Sequence, residues 1–430
     1  MKLIRKADPR DVQKIALGAD EYVDRLYGCF RFDNSRADGF QPERELELIM
    51  RGGVFHKVTV PEELKIPLEA GKAVNNDSFY IEPIGANLDS MMLLTMRAGW
   101  NQVEQDLQRI VDLDPQGNFV ASFRTADHDI PVSTASVAPV GSRNTWIGMI
   151  LVHPELRRQG IANAMMQHCV NYAIEQGKVI NGLDATPMGN TVYGAVGYTD
   201  SFRIWRSWFD PSQFNQSSFD QTRISRVSAA DLDELIRYDS TRWLARENII
   251  RALFTDSAEE AYLSRNGNGE IEGYLFARPG RLRYFIGPFV ADDDPTARGL
   301  LTCVCHSLSA RGITESFIDT PESKFNHPGV YDKSVFDQQQ KPSDHKLIAK
   351  LTPVRDFTRM YQAVDERKAE NLVGEFIDKE KLDPENRRVV EFSQAMYDSV
   401  ANYTETMGFM EYEEKVLQHY HWGTTGPEKG

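Results

Sequence analysis

Cysteine is scarce: the 430 residues hold four, Cys29, Cys169, Cys303 and Cys305. Thiols so few and so scattered supply no disulfide framework, and Cys303-x-Cys305 has no further ligands nearby to complete a metal set. They read as reduced, mostly buried thiols of a cytoplasmic protein. Basic charge is also in deficit. Lys and Arg number 49 against 63 Asp and Glu, a net charge of −14, which argues against a general binder of nucleic acid or of anionic membrane. Long hydrophobic runs are missing too, since no apolar stretch approaches the ~20 residues that span a bilayer. The start, MKLIRKADPRDVQKI, interleaves charge with apolar residues and has no continuous secretory core.

What is present is an ordinary globular composition, 41% apolar and 26% charged. A chain beyond the ~250–300 residues at which one core stops growing is expected to hold two or three domains. Residues 1–75 read as a mixed N-terminal extension, with one helix from Pro9 capped by Asp8 and a second over Gln41–Met50. Residues 78–210 form the most legible unit. SFYIEPI is a strand, LDSMMLLTMRAGWNQVEQDLQRIVDLD is helical with a break near Gly99, and NFVASFRT and VSTASVAP alternate as strands. TWIGMILV is apolar on both faces, as suits a central strand. A helix, the strand KVINGLDAT, a helical turn NTVYGAV and a last strand SFRIWRSWF follow.

Residues 222–360 repeat this order more faintly, through RISRVS, AADLDELIRYDSTRW, GNGEIEGYLFARPG, RLRYFIGPFVA, TARGLLTCVCHSLSARG and TESFIDT, with DHKLIAKL as a final strand. The repeat suggests a duplicated α+β domain. Residues 361–430 read as a charged helical C-terminal extension ending in a disordered polar tail, TTGPEKG.

One stretch carries chemistry: VHPELRRQGIANAMM, residues 152–166. A strand ends at Pro154, a tight loop holds Gly160, and a helix begins near Ile161. The first amides of a helix lack intrahelical partners and sit at the positive end of its dipole, so they suit an anion. Gly160 lets backbone approach a phosphate, Ala162 keeps the next position small, and Arg157 and Arg158 add charge. Without an anion, two arginines at a helix start would oppose the dipole. The loop is not a Walker loop, because GxxxxGK[ST] is absent.

The pattern Arg157-x-x-Gly160-x-Ala162 resembles the pyrophosphate loop of the GNAT superfamily of N-acetyltransferases, Arg/Gln-x-x-Gly-x-Gly/Ala. TWIGMILV before it and LDATPMGNTVYGAVGY after it resemble the family's neighbouring segments. AGWNQ followed by Asp106 is similar to a subgroup carrying a second, degenerate acetyltransferase-like domain. The resemblance covers 78–210 well and 222–360 weakly. It implies two GNAT-like mixed-sheet domains, the first catalytic, with acetyl-CoA as co-substrate and no metal. The backbone of Ile150, Leu151 and Val152 would then pair with the pantetheine arm as an added strand. The segment Arg157, Arg158, Gln159, Gly160, Ile161 and Ala162 would hold the pyrophosphate, with Asn190 contacting the cofactor. Tyr193 would protonate the leaving thiolate, and a backbone amide of the central strand would polarise the thioester oxygen. Trp100 and Asn101 would line the acceptor pocket or cap the helix break.

The general base departs from the family pattern, since Trp146-Ile147-Gly148-Met149 carries no carboxylate. Asp184, His153 and Asp106 are the candidates, with bulk water as the alternative. His153 reads better as a solvent-facing loop residue, and Asp184 as a carboxylate that satisfies backbone amides. In the second unit the loop position reads Ala291-Asp292-Asp293-Asp294-Pro295, acids that would repel a pyrophosphate. His419-x-His421 lacks a third metal ligand and reads as a tail feature. The leading expectation is acetyl transfer to the primary amine of a small molecule. The alternatives are another acyl-CoA, or a CoA-binding regulatory protein without turnover. Nucleic acid and membrane are not expected partners, and self-association as a homo-oligomer stays open.

Overall fold

The computed structural model of the chain describes residues 79–363 and 416–423, apart from 86–87, 125–128, 143, 154–156, 158–159, 215–220, 331–339 and 418. The extension read at 1–75, most of that read at 361–430, and the tail TTGPEKG lie outside the described residues.

The first half runs β1 (Phe79–Pro83), α1 (Asp89–Arg97), α2 (Glu104–Leu113), β2 (Asn118–Arg124), β3 (Asp129–Val140), β4 (Asn144–Val152), α3 (Ile161–Glu175), β5 (Ile180–Ala185), α4 (Pro187–Ala195) and β6 (Thr199–Phe209). The second runs β7 (Ile224–Arg226), α5 (Leu232–Ser240), α6 (Glu247–Asp256), β8 (Ala261–Arg265), β9 (Ile271–Arg278), β10 (Tyr284–Ala291), α7 (Asp294–Ala310) and β11 (Ser316–Pro321). A small hairpin, β12 (Phe325–His327) with β13 (Ser343–His345), precedes β14 (Thr352–Ala363), and β15 (His421–Gly423) closes the order. No helix among the described residues is long and apolar enough to cross a membrane.

Thirteen of these strands form one mixed sheet, in the order β1-β2-β3-β4-β5-β14-β6-β11-β10-β9-β8-β7, with β15 on β10. Each half therefore gives up its last long strand. β14, late in the chain, lies between β5 and β6 of the first half, and β6 lies between β14 and β11. Two charge pairs mark the seams. Arg206 on β6 donates through Nε and Nη2 to Asp319 on β11 at 2.8 and 2.9 Å. Arg359 on β14 donates the same way to Asp184 on β5 at 2.9 and 3.1 Å. The side chains of both pairs are buried, and they sit at directly opposed register positions. Aromatic faces cover the guanidiniums: Trp146 lies 4.6 Å from Arg359, and Phe285 and Phe357 each lie 5.4 Å from Arg206. One hydrophobic core joins Trp146, Ile180 and Ile204 of the first half to Trp243, Tyr274 and Tyr361 of the second.

The final strand departs from expectation. DHKLIAKL supplies only the end of β13, and the long strand is TPVRDFTRMYQA, whose later residues the sequence reading placed in a helical extension. β14 is flanked by strands on both edges and buried over its central residues, so period-2 alternation is absent, and Asp356 and Arg359 look like surface charges until their surroundings are known. His421, read as a tail feature, is a buried strand residue of β15.

Because the sheet is continuous, both halves should unfold in a single denaturant transition, and two separated transitions would contradict the exchange. Asp319→Ala strands a buried guanidinium and should cost about 3–5 kcal/mol in that assay.

Candidate functional site

The site forms where two parallel strands part. β4 and β5 pair only from Asn144↔Ile180 to Trp146↔Gly182. Past Trp146, no described strand pairs with the β5-facing edge of β4. The opposite edge stays on β3, but with one extra residue on β4: Thr134 and Ser136 face Leu151 and Gly148. The bulge falls at Met149, whose φ of 54° is uncommon for a residue with a side chain. It is fixed from the β3 side, where Thr134 Oγ1 donates to the Met149 carbonyl at 3.0 Å and Ser133 Oγ to that of Leu151 at 2.7 Å. The result is a V-shaped cleft between Ile147–Ile150 on one arm and Leu183, Asp184 and Thr186 on the other.

At the end of β4 the chain enters α3. Gly160 is its N-cap with φ 80°, a left-handed conformation that glycine adopts without strain. No side chain among the described residues caps this helix, and the ladder begins with Ala164 donating to the Gly160 carbonyl. The amides of Ile161, Ala162 and Asn163 thus have no intrahelical acceptor. Ile161 is buried beneath them and Ala162 is half-buried, so the surface over the amides stays low. Arg157 is exposed beside this end, its Nε donating to the Val152 carbonyl at 3.3 Å. Arg158 and Gln159 lie outside the described residues.

The corresponding helix of the second half, α7, is built the other way. Its N-cap Asp293 accepts from the Thr296 amide at 2.8 Å, and Pro295 removes another donor. Asp292 is held by Arg242 and by the Tyr238 hydroxyl, each at 2.8 Å. A carboxylate of the chain itself already fills the anion position there.

Tyr193 projects into the V from α4, a helix capped by Thr186, which accepts from the Gly189 amide at 3.2 Å. Gly189, one turn earlier, makes the ring's seat: a Cβ there would lie 2.8 Å from Tyr193 Cε2. Burial, with a smaller push from Cys169, raises the Tyr193 phenol above its ordinary value. Trp100 also lines the cleft, while its carbonyl accepts from Arg281 Nε at 3.1 Å.

Several candidates fall elsewhere. Asn101 is buried and occupied by the second half: its Oδ1 accepts from the amides of Leu282 and Arg283, and its Nδ2 donates to the Arg283 carbonyl. It positions the β9–β10 turn rather than lining an acceptor pocket. Asn190 is likewise buried, its Nδ2 donating to Asp200 at 2.8 Å and to the Met360 sulfur, so that group faces the fold and not a cofactor. Two of the three base candidates, Asp184 and Asp106, are committed to ion pairs. Asp184 lines the cleft but is paired with Arg359. Asp106 is buried against Arg109 at 2.6 Å and Arg278 at 3.4 Å, with the Val103 amide on its other oxygen. His153 is buried, not solvent-facing, because its amide continues the ladder to Val132. Sequence reasoning missed Gln102, Arg206, Arg355 and Phe357, all of which line the cleft. The last three come from the strands β6 and β14 at the seam, whose neighbours are distant in sequence.

The divergent strands, the bulge and the glycine-capped helix define the GNAT class of acyltransferase fold, and comparison agrees. Residues 87–190 match the Acetyltransferase (GNAT) family, and residues 243–345 match the Acetyltransferase (GNAT) domain. The chain belongs to the GNAT acetyltransferases, with two such domains in tandem. A curated relative, the uncharacterised N-acetyltransferase YitH of Bacillus subtilis (strain 168), is 24% identical over 253 residues, covering 58% of this chain and 83% of the relative. The crystal structure of a protein from Pyrococcus horikoshii described as a candidate acetyltransferase superposes with a TM-score of 0.50 at 18% identity, over 69% of this chain and 92% of that one. At that identity it speaks for the fold alone.

The two helix starts should respond differently to alanine. Gly160→Ala forces a side chain into the left-handed region and should cost about 1–2 kcal/mol. Asp293→Ala removes a cap and should cost about 1 kcal/mol. Thermal unfolding of the two variants measures both.

Proposed function

We propose that the protein is an acetyl-CoA-dependent N-acetyltransferase whose first half carries the reaction, with a small-molecule primary amine as acceptor. One observation carries this reading: the free edge of β4 and the uncapped start of α3 occur together in the first half. An extended pantetheine arm needs the first, and a pyrophosphate needs the second. Ile150, Leu151 and Val152 would offer backbone groups to the arm, and the amides at Gly160–Ala162, with Arg157 beside them, would hold the phosphates. When bound, acetyl-CoA supplies the thioester carbonyl that an amine attacks.

The chain's own part in that chemistry is positional and protonic. The bulge at Met149 turns backbone of β4 toward the V, where an amide can polarise a carbonyl oxygen. Tyr193 is the hydroxyl on the cleft wall suited to protonate a departing thiolate, and its raised pKa keeps it a donor at high pH. The acceptor amine must arrive neutral. Since Asp184 and Asp106 are held in ion pairs and His153 is buried outside the cleft lining, water is the base we assign.

Charge in the cleft bears on the acceptor. Its lining carboxylate, Asp184, is held by Arg359, while Arg206 and Arg355 also line the space. Arg206 engages Asp319 through Nε and Nη2, which leaves Nη1 outside the pair. The Arg206 Nη1 donor favours an amine that carries a carboxylate or another anionic group over a polycation, despite the net acidity of the whole chain.

Thiol release from acetyl-CoA with a panel of amines tests the activity. Carboxylated amines should give a higher kcat/KM than their decarboxylated analogues. Tyr193→Phe should lower kcat about a hundredfold. In the parent enzyme the rate should rise as the amine deprotonates and hold its plateau past pH 10, because burial raises the phenol's pKa. Gly160→Asp would place a carboxylate where α7 has one. Calorimetry should then show CoA affinity reduced at least about tenfold, with the fold retained.

A further inference from the structure

The second half contains a V of its own. β10 pairs with β11 in parallel from Tyr284↔Ser316 to Ile286↔Ile318 and then parts from it, as β4 parts from β5. The irregularity recurs at the equivalent place: the register of β10 against β9 shifts between Ile286 and Phe289. In the first half no described strand enters the V. In the second, β15 does, pairing antiparallel with β10 at Phe289↔Gly423 and Val290↔His421.

The strand lies between the arms rather than beside them. A Cβ on Gly423 would sit 3.2 Å from Phe289 Cβ and 3.3 Å from Ile318 Cγ1, one contact on each arm. Val416, Leu417, Tyr420, His421 and Trp422 are all buried. Trp422 joins the core formed by Leu275, Phe289, Leu300, Ile318 and Leu347. Lys324 fastens the segment twice, donating from Nζ to the His419 carbonyl at 3.0 Å and lying 4.0 Å above the Trp422 ring. An apolar segment, anchored by one tryptophan and narrowed to a glycine where the arms are closest, fits this space.

We propose that the second V is a binding site for a short extended peptide, and that its occupant is the chain's own segment His421–Gly423, added to β10 as a strand and held by the buried side chains of Val416, Leu417, Tyr420 and Trp422. The proposal rests on the pairing of β10, β11 and β15 and does not depend on the reaction assigned to the first half. It gives the degenerate half a role. A slot of the kind that can lodge a cofactor arm lodges a piece of the protein, and Asp292–Asp294 stand where phosphates would otherwise be held. Docking of the segment completes the second core and ties the far end of the chain to the middle of the sheet.

Hydrogen exchange with mass spectrometry on the intact chain, without ligand, tests this. Amides of 419–423 should exchange at least about a hundredfold more slowly than an unfolded chain, in one cooperative opening with those of Phe289 and Val290. Trp422→Ala should speed both regions together while 144–152 stays protected. Lys324→Met, which keeps the apolar stem, should produce a smaller change of the same kind. A synthetic peptide of residues 414–430 should restore protection of Phe289 and Val290 in Trp422→Ala. The proposal is overturned if 419–423 of the unmodified chain exchange at unfolded rates while β10 stays protected. It is equally overturned if release of the segment leaves Phe289 and Val290 as slow as before, or if the peptide restores nothing.

Discussion

Two buried guanidinium–carboxylate pairs hold the exchanged strands in register. Arg359 faces Asp184 across β14 and β5, and Arg206 faces Asp319 across β6 and β11. Because strand side chains alternate faces, a slip of one residue would turn both arginines away and leave four charges buried without partners. Such pairs add little net stability over a well-packed apolar substitute, but the penalty for misplacing them is steep. They fix which strand lies beside which. Everything at the candidate site follows, because Arg355 and Phe357 reach the first cleft only if β14 lies between β5 and β6.

The two halves show how a few residues give one scaffold two fates. Each has a central strand that bulges, a parallel neighbour that diverges from it, and a helix starting at the mouth of the V. In the first half the helix starts at a left-handed glycine and no side chain among the described residues caps its amides. In the second an aspartate takes those amides and two more acids flank it, while the V itself holds β15. The same physics, unpaired backbone seeking partners, is satisfied by a carboxylate of the chain in one half, whereas in the other no described side chain supplies the partner.

Much of this was legible in the sequence, and the illegible parts share a cause. The strand–loop–helix at 152–166, the duplicated order and the acids at 292–294 declare themselves through local pattern, and local pattern is what sequence reading measures. Tyr193 is singled out because its surroundings resemble a family segment, and it lines the cleft. β14 was missed because a strand flanked on both edges and buried at its centre loses period-2 alternation, and its buried arginine mimics a surface. Asn101, Asn190 and Asp106 read as ligand or base candidates because polar residues beside a cleft resemble ligand groups, and only the fold supplies their long-range partners Arg283, Met360 and Arg278. β15 could not be read at all: three residues gain their strand character only from β10.

The central claim is that one V serves a CoA arm and the other is filled by the chain. Calorimetric titration of the intact protein with CoA measures this most directly. One equivalent bound per chain is the predicted result; two equivalents, or none, would contradict the account.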